Sequence, residues 1–163
     1  MALTADYEAR RQDGDILDYK IKAANTIYKD SLTCVSDDGY LRPGADTAQF
    51  VLAGVAVEKS VLVAAESDGD RSIRVFKTGT FQFVASGASQ AWVGMLMYVV
   101  DDNTAGRRGQ VDNVIILGEC VGYISSTLIK VAICCPGADQ GGEVSYSSSS
   151  SCSSSFSSSS SSA

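Results

Sequence analysis

The sequence predicts an all-β protein: a small β-barrel or sandwich domain with an extended N-terminal arm and a Ser-rich C-terminal tail. Three observations predict it. From Ser31 onward, short runs rich in β-branched and aromatic residues are separated by Gly- and Asp-bearing turns. They give about eight to ten short strands, roughly 8 to 12 residues apart, the pattern of barrels and sandwiches. No segment after residue 30 carries a convincing helical period. From Ser145 to Ala163 nearly every residue is Ser, interrupted by Tyr146, Cys152 and Phe156, and Ser has no side chain with which to build a core. The chain therefore divides into an arm (1–30), a β-domain (31–135) and a Gly hinge with the Ser-rich tail (136–163).

The arm is mostly polar. Ala5 to Gln12 suits two turns of helix, with Thr4 as N-cap, Asp6 and Glu8 near the positive end, and Gly14 as terminator. Leu3, Tyr7, Ile16, Leu17 and Tyr19 are spaced like anchors along an extended strap. Ser31–Val35 and Tyr40–Leu41 then flank Asp37-Asp38-Gly39, a hairpin signal because Gly readily adopts the positive φ such turns require.

Phe50–Val57 is a continuous apolar run, expected of a strand buried on both faces, and Gly54 within it marks a bulge or a close backbone approach. Val61–Ala65 and Ser72–Lys77 flank a Ser-Asp-Gly-Asp turn. Val75–Val84 alternates around Gly79, with Phe81 and Phe83 on one face. Trp92–Val100 reads as a strand from Met95, and Asp101–Gly109 as a polar loop. Val114–Leu117 and Cys120–Ile124 are divided by Gly118, in a weak echo of the Gly54 region that suggests recurring barrel-corner chemistry. Thr127–Ile133 closes the domain, with Leu128, Lys130 and Ala132 on one face and Ile129, Val131 and Ile133 on the other.

Composition narrows the function classes. Thirteen Lys and Arg against 19 Asp and Glu leave a net charge of -6. The cations are scattered, with Arg10–Arg11 and Arg107–Arg108 the only adjacent pairs, which argues against nucleic-acid binding. No apolar run reaches the roughly 20 residues of a membrane helix, so no membrane role is expected. Charged residues occupy the place of a signal-peptide apolar region, so synthesis and folding in a reducing cytoplasm are expected. The five cysteines, Cys34, Cys120, Cys134, Cys135 and Cys152, contain no CxxC pair and read as small buried thiols.

Catalytic chemistry finds little material. There is no histidine, which removes the commonest general base, the Ser-His and Cys-His pairs and most catalytic zinc sites. Asp37-Asp38, Asp68-Gly69-Asp70 and Asp101-Asp102 are acid–base or divalent-ion candidates, but each lies in a predicted turn where Asp is favoured for its own backbone hydrogen bonds. Gly137–Gly142 precedes a Ser tract, not a helix, and reads as a hinge rather than a phosphate loop. Trp92, Phe76, Phe81 and Phe83 read as core or interface packing in preference to a stacking platform. The expectation is a binding protein with no enzymatic activity and no cofactor.

The order of several short motifs resembles the decoration, or cement, proteins of tailed-phage capsids, also called head-stabilising proteins. These are Met1–Ala5, Tyr19–Ala23, Ile27–Lys29, Asp38–Leu41 with Pro43, Ala53–Ala56, Ile73–Phe76 leading to Gly79 and Phe81, Val99–Asp102, and Leu128–Ile133. The likeness spans residues 1 to about 135. Asp30 departs from it, standing where a small residue such as Gly often follows the Ile-Tyr-Lys motif.

The resemblance implies a compact β-domain that assembles as a homotrimer on the outer surface of the virion's capsid after synthesis in the host cytoplasm. Its partner would be the major capsid protein and its role stabilisation of the head against internal DNA pressure. Leu3, Tyr7, Ile16, Leu17, Tyr19, Ile21, Ile27 and Tyr28 would be the capsid-contact arm. The tail reads either as a solvated projection or as a strap anchored by Tyr146, Cys152 and Phe156. The alternative functions are a receptor-binding or adhesin-like β-module on a Ser-rich stalk, and a small hydrolase using an Asp pair.

Overall fold

The computed structural model describes residues 15–61, 63 and 65–133. Twelve strands follow one another: β1 (Ile16–Lys20), β2 (Thr26–Ile27), β3 (Leu32–Val35), β4 (Leu41–Pro43), β5 (Val51–Ala56), β6 (Ser60–Val61), β7 (Ser72–Phe76), β8 (Gly79–Val84), β9 (Leu96–Val99), β10 (Ala105–Gly106), β11 (Ile116–Ser125) and β12 (Leu128–Ile133). Two single 3-10 turns, Gln90–Trp92 and Arg108–Gln110, are the only helical elements among the described residues. The all-β expectation is met.

The strands form two five-stranded sheets, ordered β1-β7-β5-β3-β4 and β10-β9-β11-β12-β8, and a two-stranded ribbon β2-β6. Every pairing between named strands is antiparallel. Each sheet curls until its two edges touch. Beyond β1, Ile21 bridges Leu41 of β4, and the Lys22 N–H donates to the Leu41 carbonyl at 3.0 Å. At the end of β8, Val84 bridges Thr104, and its N–H donates to the Asn103 carbonyl at 3.1 Å. Curling in this way covers edge groups that would otherwise template aggregation.

Two apolar clusters result. The larger lies between the sheets. Leu32, Cys34, Leu52 and Val55 from the first meet Phe83, Met97, Val99, Leu117, Cys120, Ile129, Val131 and Ile133 from the second. The smaller fills the curl of the first sheet, with Ile21, Ile27, Leu41, Ala53, Ala56, Ile73 and Val75. The central strand β5 serves both: Leu52 and Val55 face one cluster, Ala53 and Ala56 the other. This is why its sequence is an unbroken apolar run.

The hairpin at Asp37–Gly39 joins β3 to β4 as expected, with Val35 opposite Leu41. In β12 the side chains of Ile129, Val131 and Ile133 are buried, and Phe83 and Phe81 stand opposite Ile129 and Val131. Three expectations change. Of the two segments flanking the Ser-Asp-Gly-Asp turn, Val61 lies in β6, which pairs with β2, while Ser72–Phe76 pairs with β1 and β5. The alternating run Val75–Val84 is split between sheets, β7 ending one and β8 opening the other. Gly118 divides no strands but sits inside β11, at a register shift between Ile116 and Gly118.

Candidate attachment surface

The arm expectation is corrected from Ile16 onward. Residues Ile16–Lys20 form β1, paired along its whole length with β7 from Ile16↔Phe76 to Lys20↔Ser72. Its alternation puts Leu17 and Tyr19 half-buried toward the interior and leaves Ile16 43% exposed. Ile21 and Ile27, expected in the exposed arm, are fully buried core residues and present no side chain at the surface. The physical reason lies in the spacing: Leu17, Tyr19 and Ile21 recur every second residue, which is the period of a half-buried strand. The β-domain therefore begins by Ile16, not at Ser31. Leu3, Tyr7 and the expected helix Ala5–Gln12 lie outside the described residues, as do Cys134, Cys135, the Gly hinge and the tail positions Tyr146, Cys152 and Phe156.

Of the eight expected contacts, Tyr28 is the most open described one, 55% exposed. It follows β2, and the Lys59 ammonium, next to β6, lies 5.0 Å from its ring centroid. Val61 on the same ribbon and Val63 just beyond it are also exposed. The ribbon is thus a small apolar and cationic prominence, with Ile27 beneath it as its attachment to the core.

Asp30, the residue that departs from the decoration-protein pattern, takes φ +63°. Asp is among the few residues that tolerate this left-handed conformation. Its N–H donates to the Ala56 carbonyl at 2.9 Å, and the Ser31 hydroxyl donates to the Tyr28 carbonyl at 2.7 Å. The turn into β3 therefore has the geometry a Gly would give, with an Asp in its place.

An ion-pair cluster fixes the crossing segment after β1. Lys22 Nζ lies 2.8 Å from Asp38 Oδ2 and 2.6 Å from Asp68 Oδ2. Arg42 also pairs with Asp38, at 3.3 Å. The Ala23 N–H donates to Asp68 Oδ1 at 2.8 Å. Three turns distant in sequence are tied at one ammonium. The hydrogen bond from Lys22, followed by that from Ser36, holds the Asp38 carboxyl well below the usual carboxylate range. The Lys22 bond, then the Ala23 amide, lowers Asp68 likewise, and bonds to Asp38 and Asp68 raise Lys22.

Two other carboxylate candidates have turn roles. Asp70 accepts from the Ser67 N–H at 2.7 Å, and Asp101 from the Asn103 N–H at 2.8 Å. Asp46, which sequence reading did not single out, accepts the N–H groups of Asp112 and Asn113 at 2.7 and 2.8 Å, joining the β4–β5 connection to the segment before β11. Burial pushes the Cys34 thiol up to about 12, and Cys34 and Cys120 are both buried and free. Phe83 and Trp92 are buried, and Phe76, Phe81 and Phe83 form tilted ring contacts at 5.9 and 6.4 Å, which is core packing.

The second sheet also carries an open groove of about 940 Å³, lined by Met95, Leu96, Tyr98, Arg107, Arg108 and Glu119 among others. Its apolar floor was not foreseen, although Arg107–Arg108 stood out in the sequence as one of two adjacent cation pairs.

No protein-family model matches the chain, and no curated protein matches it. Among solved structures it is similar to the crystal structure of the head fiber gp8.5 N base in bacteriophage phi29, with 17% identity and a TM-score of 0.44, over 73% of this chain and 94% of that one. At that identity and score the likeness carries no conclusion about family or function.

Proposed function

We propose that this protein is a non-enzymatic capsid decoration protein that binds the outer surface of an assembled phage head and stabilises it. The observation that carries this reading is where the motifs of the resemblance fall. Tyr19–Ala23 ends β1 and makes the crossing that closes the first curl. Ile27–Lys29 ends β2 with the buried Ile27, continues to the exposed Tyr28 and leads to the left-handed Asp30. Ala53–Ala56 is the central strand shared by both clusters, and Leu128–Ile133 is the strand that joins β11 to β8. The motifs thus fall on framework positions of this fold, which supports reading their order as more than a likeness of composition. Of the carboxylate pairs, by contrast, Asp70 and Asp101 are engaged in turns and Asp38 and Asp68 in an ion-pair cluster.

Attachment is assigned to the Tyr28–Lys59–Val61 prominence together with residues 1–14, with the major capsid protein as partner. A lattice presents many equivalent sites, so an oligomer, a trimer by resemblance, would gain avidity from contacts that are individually weak. Binding to the assembled lattice and not to its separated subunits stabilises the lattice by mass action. Co-sedimentation with purified heads tests the reading: the wild-type protein is expected to pellet with expanded heads, and Tyr28→Asp is expected to pellet less. Equal pelleting with unexpanded heads, or none with either, would overturn it.

A further inference from the structure

We propose that the groove on the second sheet is the docking site of a segment of the same chain, Glu143–Tyr146 at the head of the Ser-rich tail. This rests on other residues than the capsid reading. The first argument is where the described chain ends. Ala132 of β12 stands opposite Glu119 of β11, and Glu119 stands opposite Leu96 of β9. Residues paired in this way share one face of a sheet and lie about 5 Å apart. Glu119 and Leu96 are exposed and line the groove, so Ala132 is on the same face, about 10 Å from Leu96. Because β12 and β9 are both antiparallel to β11, β12 runs in the direction that β9 takes from Leu96 to Tyr98. The last described residue, Ile133, thus stands beside the groove on a strand directed along it. Residues 134–142 can span up to about 30 Å, several times that gap. A tether of this length gives an effective concentration of about the mM range, so even a weak site is filled.

Chemistry selects the segment. Met97 and Val99 point into the core, so Leu96 and Tyr98, alternating with them, form an apolar floor. Arg107 stands on the wall beside β9, its guanidinium 4.8 Å from the Trp92 ring centroid. Arg108 is already engaged, donating to the Val111 carbonyl at 3.2 Å and facing the field of the Asp46 carboxylate. Arg107 takes part in none of the ion pairs among the described residues. The matching occupant is an extended strand with apolar side chains at alternate positions and one carboxylate beside them. Beyond Ile133 the charged residues are Asp139 and Glu143, both acidic, and Val144 and Tyr146 directly follow the second. Two residues apart, they present one apolar face when extended, and Glu143 turns to the side. Phe156 has only Ser beside it and no charge. Glu119, on the β11 side of the floor, repels Glu143 and so sets the seating, with the acid toward Arg107. Docking here would fix where the Ser tract from Ser147 onward leaves the domain.

Limited chymotrypsin digestion of the full chain tests this without any capsid. Tyr146 and Phe156 are both flanked by Ser, so one tail carries a test site and a reference site. In the wild type, cleavage after Tyr146 should be about 10-fold slower than after Phe156. In L96D and in R107E the two rates should converge. E143K should expose the site as well, and R107E/E143K should restore protection, a recovery that a merely structural effect of either change would not give. Should L96D prove unfolded by its urea midpoint, the charge variants carry the test, since Arg107 is exposed. Protection should stay constant from about 1 to 100 µM protein, because the tether is intramolecular. Equal wild-type rates at the two sites, protection that survives R107E, a double variant that fails to recover, or protection that grows with concentration, the mark of another copy's tail, would each overturn the proposal. Because no head is present, its failure and that of the capsid reading are separate results.

Discussion

The carbonyl oxygen of Phe76 occupies the space that a Cβ on Gly54 would need. Gly54 is on the central strand of the first sheet, at φ +142°, with Val75 Cγ1 2.8 Å from the same point. Gly118, at φ +155°, stands in the same relation to the Ala132 carbonyl in the second sheet. Each lies at or beside a register shift, Thr33/Cys34 opposite β5 and Ile116/Gly118 within β11. The two sheets use one device, a bulged central strand brought close to its neighbour by a missing side chain.

Gly54→Ala and Gly118→Ala are therefore expected to lose about 3 kcal/mol or more of stability, combining overpacking with left-handed strain. Gly87→Ala, at φ +69° with nothing within 4 Å, should lose about 1 kcal/mol. Urea unfolding midpoints compare the three; equal losses would mean that strain alone matters.

Ile27→Ala should destabilise the domain by about 2–5 kcal/mol, as a buried large-to-small change. Deleting residues 1–29 removes β1 and β2 with Ile21 and Ile27, and the remainder should fail to fold. Deleting residues 1–14 keeps both strands, and the β-domain should still unfold in one cooperative urea transition. A folded 30–163 fragment would return the first strand to the status of an arm.

The Lys22–Asp38–Asp68 cluster gives a signed pH dependence. The folded values of both carboxyls lie below the ordinary 3.8, so their contribution is present above that value and is lost as pH falls through the folded values. Lys22 lies above its ordinary 10.5, so its contribution is full below 10.5 and is lost as pH rises through the folded value. Stability should therefore be flat in this term between those limits and fall in acid. Asp38→Asn should flatten the acid limb of a urea-midpoint profile, and high salt should weaken the effect because the pairs are part-exposed.

Cys34 and Cys120 should resist alkylation at pH 8 in the native protein and react once urea unfolds it, since only the thiolate is nucleophilic and both side chains are buried. Peptide mapping by mass spectrometry distinguishes them from Cys134, Cys135 and Cys152. Rapid native labelling of Cys34 would contradict its burial.

Much of the fold could be read from local pattern. The Asp37–Gly39 hairpin, the doubly buried β5, the alternation of β12 and the close approach at Gly54 are all encoded within a few residues of where they act. What escaped depends on distant partners. Nothing local tells β6 to pair with β2 across 34 residues, Thr26↔Val61 and Ile27↔Ser60 being the contacts that decide it. The run Val75–Val84 keeps one period although it changes sheets at Lys77–Gly79. The arm was misplaced because the alternation of Leu17, Tyr19 and Ile21 suits an extended strap as well as a half-buried strand, and the partner that decides between them, β7, is distant in sequence. The groove was missed because Leu96 and Tyr98 look like core in the sequence and become surface through the facing of β9.

The central claim is that this protein stabilises an assembled head. Differential scanning calorimetry of expanded heads lacking it, before and after saturation with the purified chain, tests that most directly. The account predicts a higher head-disruption temperature at saturation and little change for unexpanded shells. An unchanged disruption temperature despite saturating protein would contradict it.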